Sequence, residues 1–292
     1  MIEAQKLRVV KILIEKFDNY IRNEKNLSLN TAYNYISDIQ KFKEFVKKDL
    51  TKVDRKDIEN YISFLRDSGM SVVTTNRKLA SLKSFYKYLC REEYIVNNPA
   101  LLVESGKTER KLPRPLSVSD INKISNATKS LRDKAIIETL YGAGLRRVEL
   151  INLKKNHVNW KKGVLYIKGK GKKDRLVPLN GYALSLLKQY CDSHDSEWVF
   201  PSKRGGNLSA RRLNEIIEYY AKKAKVPNAT PHKFRHSFGT HLYGKGMDSK
   251  VLQDLMGHES INTTSVYAKV SIERNLIEYN KYFDREETMK TY

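Results

Sequence analysis

"HVNWKKGVLYIKGKGKKDRLVPL", residues 157–179, is where the period of the chain changes. On either side of it apolar residues recur every third or fourth position, as helices require. Within it, short β-rich runs are broken by Gly and Lys. The stretch predicts a two- or three-stranded antiparallel meander, so the chain is expected to be mainly α with a small antiparallel sheet, an α+β fold, and not purely helical.

Upstream, residues 1 to about 103 read as helices throughout. Leu7, Val10, Ile14, Phe17 and Ile21 form one apolar stripe. A second helix after "LSLN" turns Tyr35, Ile39, Phe42 and Phe45 or Val46 inward, and a third after "TKVD" does the same with Ile58, Tyr61, Ile62 and Leu65. In the fourth, Leu79, Leu82, Phe85, Tyr86 and Leu89 face the core, which leaves Arg77, Lys78 and Lys83 expected on the solvent side, open to phosphate. The prolines and charges of residues 104–115 mark a connection. Helix then resumes with Ser117 and Asp120 in capping-box spacing, followed by a helix carrying Leu131, Ala135, Ile136 and Leu140 up to a "GAG" turn. After Gly181 the chain is expected to be helical again. The domains read as 1–103, helical, a linker over 104–115, and 116–292 with a tail helix over 271–283.

The 292 residues carry 55 Lys and Arg against 33 Asp and Glu, a formal charge of +22. Such a field attracts polyanions, and nucleic acid is the leading partner. Cys90 and Cys191 have no CxxC partner, which argues against a zinc knuckle or a disulfide framework and fits a reducing cytoplasm. No run of about eighteen uninterrupted apolar residues occurs, so neither a membrane span nor a signal-peptide core is expected.

Four clusters carry possible chemistry. In "GAGLRRVEL", Arg146 opens a helix and Glu149 follows three residues later, either a phosphate-binding arginine with its orienting acid or a surface ion pair. Gly142 and Gly144 give GxG, but position 147 is Arg and a helix precedes, so the dinucleotide fingerprint fails. "KGKGKKD" sets Lys170 between two glycines at a hairpin tip, free to enter a groove or simply solvated. In "TPHKFRHSFGTHL", Thr230 caps, Pro231 takes the first helical position, and His232 and Arg235 share neighbouring surface where an oxyanion is stabilised. His236 and His241 lack HExxH or an acidic companion, so they read as packing or hydrogen-bonding residues, with no metal or other cofactor expected. Lastly, Asp248 caps a helix ending at Gly257, His258 follows, and Tyr267 comes nine positions later. Two arginines, a lysine, two histidines and a hydroxyl nucleophile in a basic chain are the inventory of phosphoryl transfer on a nucleic-acid backbone.

The order Arg146, Lys170, "HKFR" at 232–235, "GH" at 257–258 and Tyr267 resembles a tyrosine recombinase of the phage-integrase family. "SLNTAYNYISDIQKF" and "TNRKLASLKSFYKYL" resemble that family's SAM-like helical core-binding domain. The nearest likeness is to the Xer recombinases that resolve chromosome dimers, particularly the single-protein archaeal type, since no arm-binding domain is expected ahead of these blocks. Arg147-Val148 departs from the small or hydroxyl residue common before the glutamate.

The resemblance implies that Tyr267 attacks a DNA phosphodiester to leave a 3′-phosphotyrosine, with Arg146, Arg235 and His258 on the nonbridging oxygens, His232 taking the tyrosine proton, Lys170 protonating the departing 5′-oxygen, and Glu149 orienting. It further implies double-stranded DNA bearing a specific recombination site, a dif-like one for a chromosomal resolvase, and a homotetramer on paired sites in the nucleoid. In that assembly Ile272, Leu276 and Phe283 of the tail would pack on a neighbour in trans, with packing in cis the plainer reading. An integrase of a mobile element is the main alternative; a type IB topoisomerase and a noncatalytic DNA-binding protein are more distant ones.

Overall fold

The computed structural model describes residues 12–25, 27–108, 114–169, 174–257 and 277–283. Two compact units divide the chain, Met1–Leu112 and Pro113–Tyr292. The first is built of helices only among its described residues. Helix α1, residues 12–19, runs into a π turn at Tyr20–Glu24, and α2 (Leu29–Val46), α3 (Arg55–Asp67) and α4 (Val72–Arg91) follow. Each of the last three starts where a side chain satisfies an otherwise orphaned amide: Ser28, Asp54 and Ser71 accept from the third residue beyond, and Asp57 returns the bond in a full capping box.

The predicted stripes meet in one core. Phe17, Ile21, Ile39, Phe42, Ile58, Leu79, Leu82, Phe85 and Leu89 are buried, and Tyr35, Phe45 and Val46 pack at its margin. Leu7 and Val10 lie outside the described residues. Phe17 meets Phe85 edge-on at 5.2 Å and Phe42 meets Tyr61 at 5.1 Å, arrangements that the ring quadrupole favours.

One sequence expectation is corrected in this unit. Lys78 is not open to phosphate: it is 5% exposed, and its ammonium donates to Asp38 at 2.7 Å. Asp38, on α2, also accepts from Arg77 and from the Ser81 hydroxyl. The helical period marks Lys78 as flanking the core, and a cation there goes inward when an acid on the facing helix offsets its desolvation. Arg77 keeps an exposed edge, while Lys83 is half-buried.

The second unit wraps around α6 (Leu131–Gly142), in which every residue from Ala135 to Gly142 is buried. Before it stands α5 (Val118–Asn126), opened by the predicted Ser117–Asp120 capping box; after it comes the short α7 (Arg147–Ile151). The meander is a three-stranded antiparallel sheet: β1 (Val158–Asn159), β2 (Val164–Ile167) and β3 (Arg175–Pro178), in that order, with Leu165 opposite Val177 and Ile167 opposite Arg175. Among the described residues, α8 (Gly181–Cys191), α9 (Ala210–Lys223), α10 (Pro231–Gly244) and α11 (Ser249–Met256) follow, and residues 277–282 are again helical. The expectation of helix everywhere after Gly181 fails over residues 192–209. There Gly205 and Gly206 adopt positive φ and fold a turn that bridges Pro201 to Asn207, a geometry that no helix continues.

Between the units, Gly106 exchanges two 2.8 Å bonds with the Asn76 side chain of α4, and Leu116 donates to the Ser237 hydroxyl of α10 at 2.7 Å. Residues 106 and 116 are thus each tied to their own unit.

Candidate active site

The site is organised by the "GAG" turn. Gly144 leaves α6 at φ +55°, and its Cα lies so close to Phe238 that a Cβ would meet the ring at 2.4 Å. A side chain there is excluded twice, by backbone strain and by the ring. The turn delivers Arg146 to the N-cap of α7, and arginine has no atom able to accept the first-turn amides. Glu149 works in the other direction: its Oε2 accepts the Arg146 amide at 2.7 Å and its Oε1 accepts the Arg146 Nη1 at 2.9 Å. The predicted pair therefore exists as a capping contact and an ion pair together.

Two further guanidinium groups reach the same carboxylate. Arg175, at the start of β3, donates Nη1 and Nη2 to its two oxygens at 2.8 and 2.9 Å. Arg235, on α10, brings Nη1 to within 3.8 Å of Oε2. The Glu149 side chain is 8% exposed; burial would raise its pKa, but the bonds from Arg175 and then Arg146 hold it down at about 2. Arg235 is pushed the other way, to about 10, first by burial and then by repulsion from Arg146.

The arginines also gather the end of α11. Asp248 caps the start of that helix, and Gly257 ends it at φ +61°. The carbonyls left unpaired there receive Arg175 Nε (Leu255, 2.8 Å), Arg235 Nη2 (Met256) and Arg146 Nη2 (Gly257, 2.6 Å). Cations are favoured at a helix C-terminus, where the orphan carbonyls concentrate negative potential. Arg235 adds a bond from Nη1 to the Gly144 carbonyl at 2.7 Å, which closes the ring from turn to helix end.

His232 stands exposed in the first turn of α10, whose N-cap Thr230 accepts from the Lys233 amide at 3.2 Å. It lines an open cleft of about 890 Å³ together with Arg147, Lys222 and Lys225. His241 is held by Tyr141, with Nδ1 and the phenol oxygen 2.9 Å apart, and burial lowers its pKa. Among the described residues, no three His, Cys, Asp or Glu side chains gather as a metal site would need.

Lys170, His258 and Tyr267 lie outside the described residues, as do Ile272 and Leu276. Described residues adjoin Lys170, His258 and Leu276 in the chain. Tyr166 and Gly169 both donate to Asp174, clasping the base of the hairpin, and Gly257 precedes His258. At the tail, residues 277–282 are helical and pack in cis: Tyr279 is fully buried, donates to the Gly142 carbonyl at 2.5 Å, and stacks on Phe283 at 4.9 Å.

The sequence reading missed Arg175 and Tyr279. A signal existed for each. Strand alternation sets Arg175 on the same face as the buried Val177, and Tyr279 falls one helical turn before Phe283.

The family model described as "Phage integrase family" matches residues 114–274, and "Phage integrase, N-terminal SAM-like domain" matches residues 14–93. A protein of Thermodesulfovibrio yellowstonii named tyrosine recombinase XerC is 36% identical over 285 residues, covering 92% of this chain and 95% of its own length. One of Oceanobacillus iheyensis named tyrosine recombinase XerD is 34% identical over 296 residues, covering 95% of this chain and 100% of its own. Among solved structures, a lambda integrase dimer bound to a core site aligns with a TM-score of 0.71 at 19% identity, over 88% of this chain and 99% of that one. That last likeness is one of fold.

Proposed function

The chain belongs to the phage integrase family, that of the tyrosine recombinases, and on that premise we propose that it cuts and rejoins DNA with Tyr267 as nucleophile. The observation that carries the reading is the convergence of Arg146 and Arg235 beside one carboxylate, with Arg175 as a third cation. Three guanidinium groups facing a single acid leave an excess of positive charge, which a phosphodiester would neutralise.

Tyr267 Oη attacks the phosphorus, the bond to the 5′-oxygen breaks, and a 3′-phosphotyrosine is left with a free 5′-hydroxyl. Attack by the partner strand's 5′-hydroxyl reverses the exchange. One phosphodiester replaces another, so the protein lowers a barrier and drives nothing uphill. Arg146, Arg235 and His258 hold the nonbridging oxygens. His232 accepts the phenol proton, whose ordinary pKa of about 10 keeps it bound at neutral pH. Lys170, on its hairpin, protonates the departing oxygen. Glu149 orients Arg146.

The relatives named XerC and XerD favour a role in resolving chromosome dimers; as part of that reading we place it on a dif-like site in the nucleoid, with four protomers on two duplexes. In that assembly the tail, which lies in cis in the single chain, would dock on a neighbour. The test is a nicked suicide duplex carrying a candidate resolution site, run on denaturing gels with wild type beside Tyr267→Phe. A covalent band in wild type alone is expected. A band that persists in the phenylalanine variant removes Tyr267 from the role.

A further inference from the structure

Arg146 has two side-chain anchors, the Glu149 carboxylate and the Gly257 carbonyl; Arg175 bonds the first and, beside the second, the Leu255 carbonyl. Arg175 grips Glu149 through two parallel N–H···O bonds and binds the end of α11 through Nε to the Leu255 carbonyl. It also lies against Gly257, where a Cβ would come within 3.0–3.2 Å of Nη1, Cδ and Cζ of its side chain. Its side chain is 9% exposed, against 45% for Arg146, and Nε and both Nη nitrogens are committed to protein acceptors. With two of those nitrogens on Glu149 and the third on the end of α11, the group is well disposed to hold the parts that position Arg146.

We infer that Arg175 is a positioning residue for strand cleavage: it locks Glu149 and the C-terminus of α11 together and so sets the direction in which Arg146 offers its guanidinium to a DNA phosphate. The inference rests on the cleavage reading above. The planar fork is essential to it. A lysine keeps the charge but, as a single point donor, cannot make two parallel bonds to Glu149 and a third to Leu255. The competing account is a plain internal staple that joins β3 to α7 and α11, whose loss would lower stability and leave the folded enzyme's chemistry intact.

The experiment compares wild type with Arg175→Lys in the full chain. It reads adduct formation at saturating nicked duplex, duplex affinity by gel shift, thermal melting, and the NMR signals of the Arg146 guanidinium, assigned by their loss in Arg146→Lys. Misplacing a reacting group by about 1 Å costs on the order of 10²-fold in rate, so a loss of that order is expected at saturation, with affinity within about threefold. Hindered, resolved Arg146 N–H signals in wild type should collapse toward those of a free side chain in the variant. A wild-type cleavage rate in Arg175→Lys, or a loss no larger than its unfolded fraction, overturns the inference. If the lysine variant does not fold, Arg175→Gln carries the same measurements. If wild type forms no adduct on any duplex, the cleavage reading fails separately. The Arg146 signals then decide: unchanged signals in the variant overturn the positioning claim, and collapsed ones sustain it.

Discussion

In each unit of this protein a shielded carboxylate gathers several cations, and the two clusters serve different ends. In the helical unit, Asp38 collects Arg77, Lys78 and the Ser81 hydroxyl between α2 and α4. In the second unit, Glu149 collects Arg146 and Arg175, with Arg235 close by. Both acids sit below their ordinary pKa for the same reason: burial works against the charge, and the donors more than offset it. What differs is what the cations do next. Lys78 is sealed in at a helix interface, whereas Arg146 keeps nearly half of its side chain exposed and spends a second bond on a carbonyl at the end of α11. A buried acid with a sealed cation is a joint between helices. A buried acid that holds an open cation is a support for binding.

The largest expected effect tests that distinction directly. Arg146→Ala should slow adduct formation by about 10²–10³-fold while changing unfolding free energy by about 1 kcal/mol or less, since the side chain is half exposed and its ion pair is screened. Asp38→Ala should do the opposite: stranding the buried Lys78 costs about 3–5 kcal/mol in urea unfolding, with the folded fraction cleaving normally at saturating DNA. Equal losses in both assays for both variants would erase the distinction.

Acid titration gives the next effect. A carboxyl depressed in the folded state contributes stability that is fully present above its unfolded pKa and lost as pH falls through the folded one. For Glu149 that window runs from its ordinary value near 4.5 down to about 2, worth about 3 kcal/mol. Urea unfolding followed across this range should flatten in Glu149→Gln, and an unchanged slope would show that other carboxyls carry the acid lability. The smallest effect concerns the turn that serves the site. Tyr279 holds the Gly142 carbonyl as Arg235 holds that of Gly144, so Tyr279→Phe should cost about 1–2 kcal/mol by leaving a buried acceptor unpaired. Adduct formation in the folded fraction should stay within about threefold, because the Arg235 bond survives. A larger drop would make the tail part of the site's support.

Much of this was legible in the chain itself. The apolar stripes, the caps at Ser117, Thr230 and Asp248, the change of period at the meander and the pairing of Arg146 with Glu149 all depend on residues within a few positions of each other. The irregular stretch 192–209 was less legible, because its bridges join residues whose side chains carry no period.

Sequence alone determined the helix faces, the turns that need glycine, and the order of the reactive residues, since φ preference, capping and periodicity are local properties of the backbone. Only the tertiary structure decided which cation meets which acid. Lys78 lies 40 residues from Asp38, Arg175 lies 26 from Glu149, and Arg146 lies 111 from Gly257. Whether a charged side chain stays in water or goes inward turns on desolvation against the partner that the packed fold supplies, and that partner comes from a distant part of the chain.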